Sequence, residues 1–83
     1  MRRMYVVYLL DSLSNNSVPE LMRITGYPRR TLQKVINGLD DYCVECVYDK
    51  DAGKYRINNW ASIDKKWVYK NIIFIKNNIL ENE

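Results

Sequence analysis

The sequence predicts a small α+β domain that is mostly helical and carries one β-hairpin. Three apolar patterns with the helical period come first, a segment with the period of a strand follows, and a stretch without glycine or proline comes last. Its 83 residues, 47% of them hydrophobic and 28% charged, suit one globular domain over residues 1–83. The core of that domain is expected at 3–58, and a long final helix at about 64–82.

The most informative pattern lies in residues 25–39, TGYPRRTLQKVINGL. Gly26 allows the positive φ of a tight turn, and Pro28 fits the first turn of a helix predicted over 28–39. Apolar residues spaced i, i+3, i+4 and i+7 form a stripe that should face the core: Leu32, Val35, Ile36 and Leu39. The opposite face carries no acid and consists of Arg30, Gln33, Lys34 and Asn37, with Arg29 on its flank.

The polar face of this helix has side chains that can recognise DNA. Arginine bonds guanine N7 and O6, glutamine and asparagine bond adenine N6 and N7, and lysine neutralises phosphate. An ordinary solvated helix surface also carries long polar residues, so the neighbouring elements must decide between the two interpretations. The net charge of +3 permits nucleic-acid binding. The whole positive excess lies in residues 1–40, which hold six basic residues and three acidic ones.

The first helix is predicted over residues 4–13, where apolar side chains follow the helical period. Its core stripe is expected to consist of Val6, Leu9, Leu10 and Leu13. Arg2 and Arg3 precede this helix, and two interpretations of them stay open. They are either a short basic arm that reaches DNA or ordinary exposed charge near a chain terminus.

A short second helix is predicted over residues 18–24. Ser17 fits the N-cap position and Glu20 follows three residues later, as in a capping box. Only a tight turn separates this helix from the helix at 28–39. The two helices are therefore expected to form a helix-turn-helix.

After the third helix the hydrophobic period changes from 3.6 residues to 2. Strands are predicted at 43–48 and 54–58 with turn residues at 49–53, so this segment is expected to form a β-hairpin. Tyr55 and Ile57 should face inward, whereas the buried face of the first strand stays undecided. A hairpin alone is unstable in water, so it must pack on the helices.

Several function classes are unsupported by the sequence. Cys43 and Cys46 form a lone C-x-x-C in a chain without histidine, which is too few ligands for a zinc site. On a strand these two side chains would point to opposite faces as partly buried small hydrophobes. A glycine-rich phosphate loop, clustered carboxylates, a signal-peptide pattern and a membrane-length apolar run are also missing. We therefore expect a cytoplasmic protein that is not an enzyme and that uses no cofactor or metal.

Five features occur in the order of the predicted elements: a core leucine in the second helix, a T-G-hydrophobic turn, a polar start of the third helix, a T-hydrophobic-polar-polar-hydrophobic-hydrophobic run, and a hairpin ending in Y-x-I. They are Leu21, 25–27, Arg29 with Arg30, 31–36 and 55–57. This combination resembles the winged helix-turn-helix family over roughly residues 3–58, and its compact form resembles small bacterial members of unassigned role. The resemblance implies that 29–37 enters the major groove and that the loop around 50–54 is the wing.

The final helix is predicted to run without interruption from residue 65 to about 82, with Asp64 as its N-cap. Its apolar residues lie on several sides. A coiled-coil-like seam consists of Val68, Ile72, Ile75 and Ile79, a second stripe of Trp67 and Phe74, and a third of Tyr69, Ile73 and Leu80. Packing on one domain needs only one apolar face, so the surplus predicts a homodimer with the seam as its interface. An unusually deeply buried helix is the alternative.

Together these features favour a double-stranded DNA-binding protein that acts as a transcriptional regulator and a homodimer. The residues expected to contact DNA are Arg29, Arg30, Gln33, Lys34, Asn37, Lys54 and Arg56. Of these, the lysine of the third helix would contact phosphate, and the two hairpin residues would be secondary phosphate contacts. The alternative is a winged-helix protein–protein interaction module that docks a partner through the C-terminal helix.

Overall fold

The computed structural model describes residues 2–82; Met1 and Glu83 of the predicted domain lie outside the described residues. The elements follow in the order α1 (Arg2–Ser12), α2 (Val18–Thr25), α3 (Arg29–Asn37), a 3₁₀ helix (Gly38–Tyr42), β1 (Glu45–Asp49), β2 (Lys54–Asn59), α4 (Lys65–Lys70) and α5 (Ile72–Asn82). Helices with one antiparallel hairpin confirm the predicted fold class.

The helix α1 lies at the centre of the fold, because apolar side chains cover most of its circumference. Its buried residues are Tyr5, Val6, Val7, Leu9 and Leu10. The helix packs against α3, β2, α4 and α5. Fully buried leucines from α2, α3 and the 3₁₀ helix complete the core around it: Leu21, Leu32 and Leu39. Every other element of the fold is therefore positioned, directly or through one neighbour, by α1.

Asn16 is a fully buried polar residue that joins the hairpin to α1. Its Nδ2 donates to the carbonyl oxygens of Leu10 at 2.8 Å and Tyr55 at 2.9 Å. The N–H of Tyr55 in turn donates to Asn16 Oδ1 at 2.9 Å. The side-chain amide thus bonds both backbone groups of Tyr55 in the way that a neighbouring strand would. This satisfies polar groups that would otherwise be buried without partners.

The hairpin packs one face against the core and exposes the other. In the antiparallel register, Cys46 lies opposite Ile57 and Tyr48 opposite Tyr55, and a bulge interrupts the pairing between Glu45 and Cys46. Cys46, Tyr55 and Ile57 pack against the core, and the rings of Tyr48 and Tyr55 meet edge to face at 5.1 Å between centroids. The prediction that Tyr55 and Ile57 face the core is confirmed. On the first strand, whose buried face the sequence left undecided, Cys46 faces the core.

The two cysteines do not share a strand, which corrects the sequence-based interpretation. Cys43 follows the 3₁₀ helix, has a φ of 61°, and is exposed. Its N–H donates to the carbonyl oxygen of Asp40 at 3.0 Å, so this residue terminates the 3₁₀ helix. Cys46 lies half-buried on β1. Burial, and next the charge of Asp40, raise the pKa of the Cys46 thiol to about 11.

The predicted uninterrupted final helix is wrong, because the chain leaves helical geometry at Asn71. Asp64 is the N-cap as expected, and its Oδ1 accepts from the N–H of Trp67 at 3.1 Å. Asn71 has φ −113° and ψ 23°, and its Nδ2 donates to the carbonyl oxygen of Trp67 at 2.8 Å. Asparagine side chains compete in this way with regular helix bonding. The segment therefore forms two helices, α4 and α5.

The coiled-coil-like seam lies in the chain's own core. Val68 and Ile75 are completely buried, Ile79 is 7% exposed, and Ile72 packs partly buried against the same core. A side chain buried within its own subunit offers no surface to a second one, so assigning the seam to a dimer interface is wrong. The alternative interpretation, a deeply buried helix, agrees with the positions of these four residues.

The remaining apolar stripes of the final segment include exposed residues. Trp67 is 42% exposed, Phe74 55% and Ile73 74%. Tyr69 also reaches the surface, where its hydroxyl donates to Asp11 Oδ2 at 2.5 Å and ties α4 to the end of α1. The side chain of Leu80 lies outside the part of the chain that the structure describes. Burial and the bond to Asp11 raise the pKa of Tyr69.

Candidate nucleic-acid interface

The turn between α2 and α3 fixes where the predicted reading helix begins. The N-cap half of the predicted capping box is confirmed, because Ser17 Oγ accepts from the N–H of Glu20 at 3.4 Å. The Glu20 carboxylate accepts from Arg23 rather than from the N–H of Ser17, so the reciprocal bond of the box is not formed. At the other end Gly26 adopts a φ of 76°, and the Thr25 hydroxyl accepts from the N–H of the next residue but one at 3.1 Å. Pro28 is extended, with φ −62° and ψ 154°, and α3 starts directly after it. Each of these features follows from local turn chemistry.

Replacing Gly26 by alanine should lower the free energy of unfolding by about 1 kcal/mol, because a Cβ strains a backbone with positive φ. Gly38 is the matched control, since its φ is −80°. Apart from the adjacent backbone, no atom lies within 4 Å of the position that a Cβ would take at either glycine, so neither substitution causes a clash. Gly38→Ala should raise stability by about 0.5 kcal/mol through the unfolded state. Urea unfolding measures both changes, and equal values would contradict strain at the turn.

All five residues predicted to face DNA from α3 are exposed on the structure. They are Arg29, Arg30, Gln33, Lys34 and Asn37. On the opposite side Leu32 is completely buried, and Val35 and Ile36 pack partly buried against the core. The predicted division of α3 into an apolar inner face and an acid-free outer face is therefore present.

An open cleft of about 710 Å³ runs along one edge of α3, between this helix and the start of α1. Its lining residues, which define the α1–α3 cleft, are Arg2, Arg3, Arg30, Thr31, Lys34, Val35, Gly38, Asp41 and Tyr42. Four of these side chains are cationic, and a single one is a carboxylate. Four of the six basic residues in the first half of the sequence thus converge from two helices on one concave surface.

Arg2 and Arg3 belong to the first turn of α1, so the interpretation as a basic arm is wrong. The Arg3 guanidinium carbon lies 3.6 Å from the centroid of the Tyr42 ring, and that of Arg2 lies 5.1 Å from the Tyr27 ring. Such cation–π contacts hold arginine side chains in place. From the sequence, a DNA contact by these arginines was one of two open interpretations, and their placement against aromatic rings was not predicted, since those rings are more than twenty residues away and leave no local signal.

The two hairpin residues of the predicted site are not brought to this cleft. Lys54 Nζ lies 3.4 Å from the carbonyl oxygen of Leu13, at the C-terminal end of α1. The arginines of the cleft lie at the opposite end, roughly 15 Å away at 1.5 Å per helical residue. Arg56 forms an ion pair with Asp49 at 3.0 Å. Hydrogen bonds donated by backbone N–H groups of the turn, first that of Ala52, lower the pKa of Asp49 and so favour its ionised form in this ion pair.

The part of the chain that the structure describes contains neither a metal-binding cluster nor a helix that could span a membrane. Among residues 2–82, no group of three or more histidine, cysteine, aspartate or glutamate side chains is arranged to hold a metal ion. None of the helices described there combines the length and the apolar character that crossing a bilayer requires.

Comparisons with known proteins agree with this architecture. A solved structure described as a DUF2131 family protein from Shewanella amazonensis is 32% identical and superposes with a TM-score of 0.79. The match covers 92% of this chain and 82% of that one. No curated protein matches the chain significantly. The model of a family described as winged helix-turn-helix matches residues 1–79. The chain is thus a member of the winged helix-turn-helix family.

Proposed function

We propose that the protein is a double-stranded DNA-binding transcriptional regulator that reads the major groove with α3 in the bacterial cytoplasm. Membership of the family suggests nucleic-acid binding, and domains of this kind are typically not enzymes. The observation that carries the proposal is the exposed, acid-free outer face of α3 beside a cleft lined by four cations. Such a surface attracts a polyanion, and its amide and guanidinium groups can also distinguish bases.

The roles follow from side-chain chemistry and position on α3. Arg29, Arg30, Gln33 and Asn37 approach base edges, where their donors and acceptors match those of guanine and adenine. Lys34 contacts phosphate, because it lines the cleft at the edge of the helix. Lys54 and Arg56 lie outside the proposed interface, since the first bonds to the end of α1 and the second to a carboxylate.

Gln33→Ala should reduce affinity for a site selected from random duplexes by about 1–3 kcal/mol, the value of one bidentate base contact. Binding to non-selected duplex DNA should stay unchanged, because the substitution removes no charge. Asn77→Ala, which removes an exposed amide from α5, is the matched control. Fluorescence anisotropy with labelled duplexes measures these affinities. A parent protein that binds no duplex DNA at low salt would refute the proposal.

We also propose that the regulator acts as a homodimer, through the exposed side of α4 and α5 rather than through the buried seam. The supporting observation is the exposure of three large apolar side chains, Trp67, Ile73 and Phe74, each of which leaves 42–74% of its surface in water. Two linked reading helices bind two half-sites more tightly than two separate domains do.

A second candidate function is a protein–protein interaction module that docks a partner on the same surface. The exposed apolar side chains of α4 and α5 favour it, since they fit a protein partner as well as a second copy. Affinity for random-sequence duplex DNA at low salt distinguishes the two functions. The module requires no affinity for duplex DNA, whereas the regulator binds even random sequences at low salt.

A further inference from the structure

We propose that the α1–α3 cleft binds the phosphodiester backbone of the duplex, with Arg3 of α1 as its principal contact outside α3. This inference rests on the proposed DNA-binding function and adds a helix to the interface. The site residues expected from the sequence lie on α3 and the hairpin. In the structure, the positive charges nearest to those of α3 are instead at the start of α1, where Arg2 and Arg3 line the cleft.

The position of the cleft relative to α3 favours phosphate over bases as its ligand. The α3 side of the cleft is lined at positions i, i+1, i+4 and i+5, counted from Arg30, and these positions form one edge of a helix. A helix inserted in the major groove directs its tip and outer face towards the bases, while its edges run beside the two sugar–phosphate strands. Arg30 lies at the tip of α3 and can still reach a base, whereas Lys34 further along the edge and the arginines of α1 meet phosphate.

The geometry of Arg3 suits this role. The guanidinium carbon of Arg3 lies 3.6 Å from the centroid of the Tyr42 ring, a distance at which the planar group can stack on the ring. Stacking leaves the N–H groups on the edge of the guanidinium able to donate, and two of them match the oxygens of a phosphate. Because the aromatic ring already holds the side chain, less conformational entropy is lost when the phosphate binds.

The single carboxylate of the cleft provides a test that leaves the arginine unchanged. Asp41 is exposed and lines the cleft with the four cations. Its charge repels phosphate at close range, so removing the charge should strengthen DNA binding at low salt. A structural disturbance of the cleft would instead weaken binding. Opposite effects of Asp41→Asn and Arg3→Gln are therefore expected if the cleft holds an anion, and a disturbed fold does not produce them.

The experiment compares four variants with the parent on a random-sequence DNA duplex by fluorescence anisotropy over a salt series. Arg3→Gln should lower the affinity about three- to tenfold and reduce the slope of log affinity against log salt by about one unit. Arg3→Lys keeps the charge and should keep the slope. Asp41→Asn should strengthen binding. Arg29→Gln removes an exposed charge of α3 that does not line the cleft, and it should weaken binding at low salt whether or not the cleft binds phosphate.

The outcomes separate the two proposals. If the parent does not bind duplex DNA, the proposed function fails and this inference fails with it. If Arg29→Gln weakens binding while Arg3→Gln and Asp41→Asn do not change it, only the cleft is refuted. Equal losses in Arg3→Gln and Arg3→Lys would assign the arginine a packing role and overturn the inference. Tighter binding of an RNA duplex than of the DNA duplex would also overturn it. Thermal unfolding by circular dichroism verifies that each variant is folded.

Discussion

Replacing Ile75 by glutamate should unfold most of the chain at neutral pH. Ile75 is completely buried in the core. The variant loses the burial of an isoleucine, worth about 2–5 kcal/mol, and it adds the cost of an unpaired carboxylate in an apolar environment. These costs together are comparable to the whole stability of a small domain, about 5 kcal/mol. Far-UV circular dichroism and urea unfolding measure the loss of structure.

Ile73→Glu is the matched control, because Ile73 lies two residues away on the same helix and is 74% exposed. This variant should keep its fold. Sedimentation of parent and control also tests the proposed homodimer, since a charge on the exposed side of α5 should convert a dimer into folded monomers. If Ile75→Glu were instead a folded monomer and the parent a dimer, the seam would be an interface between subunits after all.

Asn16→Ala should lower the free energy of unfolding by about 3 kcal/mol. The substitution leaves both partly buried backbone groups of Tyr55 without the amide that now bonds them, and an unpaired group shielded from water costs about 1–3 kcal/mol. Asn15→Ala is the matched control, because Asn15 is exposed and its Oδ1 accepts one weak hydrogen bond, of 3.3 Å, from the N–H of Ser17. Urea unfolding of the two variants gives the difference, and similar losses would contradict the anchoring role of Asn16.

Asn16→Asp adds a pH dependence with a defined sign. The carboxylate would face the carbonyl oxygens of Leu10 and Tyr55, which now accept from Nδ2. Burial and these oxygens should raise the folded-state pKa of the new carboxyl above its unfolded value. The folded state then binds more protons, so the variant should gain stability as the pH falls through that pKa. A stability that rises with pH over the same window would contradict this environment.

The sequence predicted correctly those elements that are determined by residues close together along the chain. The N-cap Ser17, the turn glycine at Gly26 and the start of α3 after Pro28 each depend on side chains within a few residues of the backbone that they fix. The outer face of α3 was predicted for the same reason, since helical spacing alone places Arg30 and Gln33 opposite Leu32.

Features that depend on distant partners were missed or misread. Asn16 lies in a polar break between helices, and its role depends on Tyr55, 39 positions further along the chain. An apolar stripe such as that of Val68 and Ile75 indicates burial, but the periodicity is the same whether α1 or a second subunit covers it. Asn71 did carry a local signal, because asparagine in a helix interior can bond the carbonyl four residues earlier, as it does here.

The central position of α1 also determines when the fold can form during synthesis. The helix packs on α4 and α5, and α5 begins roughly 70 residues after α1. At about 5–20 residues per second, a ribosome needs roughly 4–14 seconds to add that length. Throughout this interval the apolar circumference of α1 has no α5 to cover it, and contacts between such distant segments also close slowly. The nascent chain is therefore most prone to aggregation until α5 leaves the ribosome, and chaperones have those seconds in which to bind it.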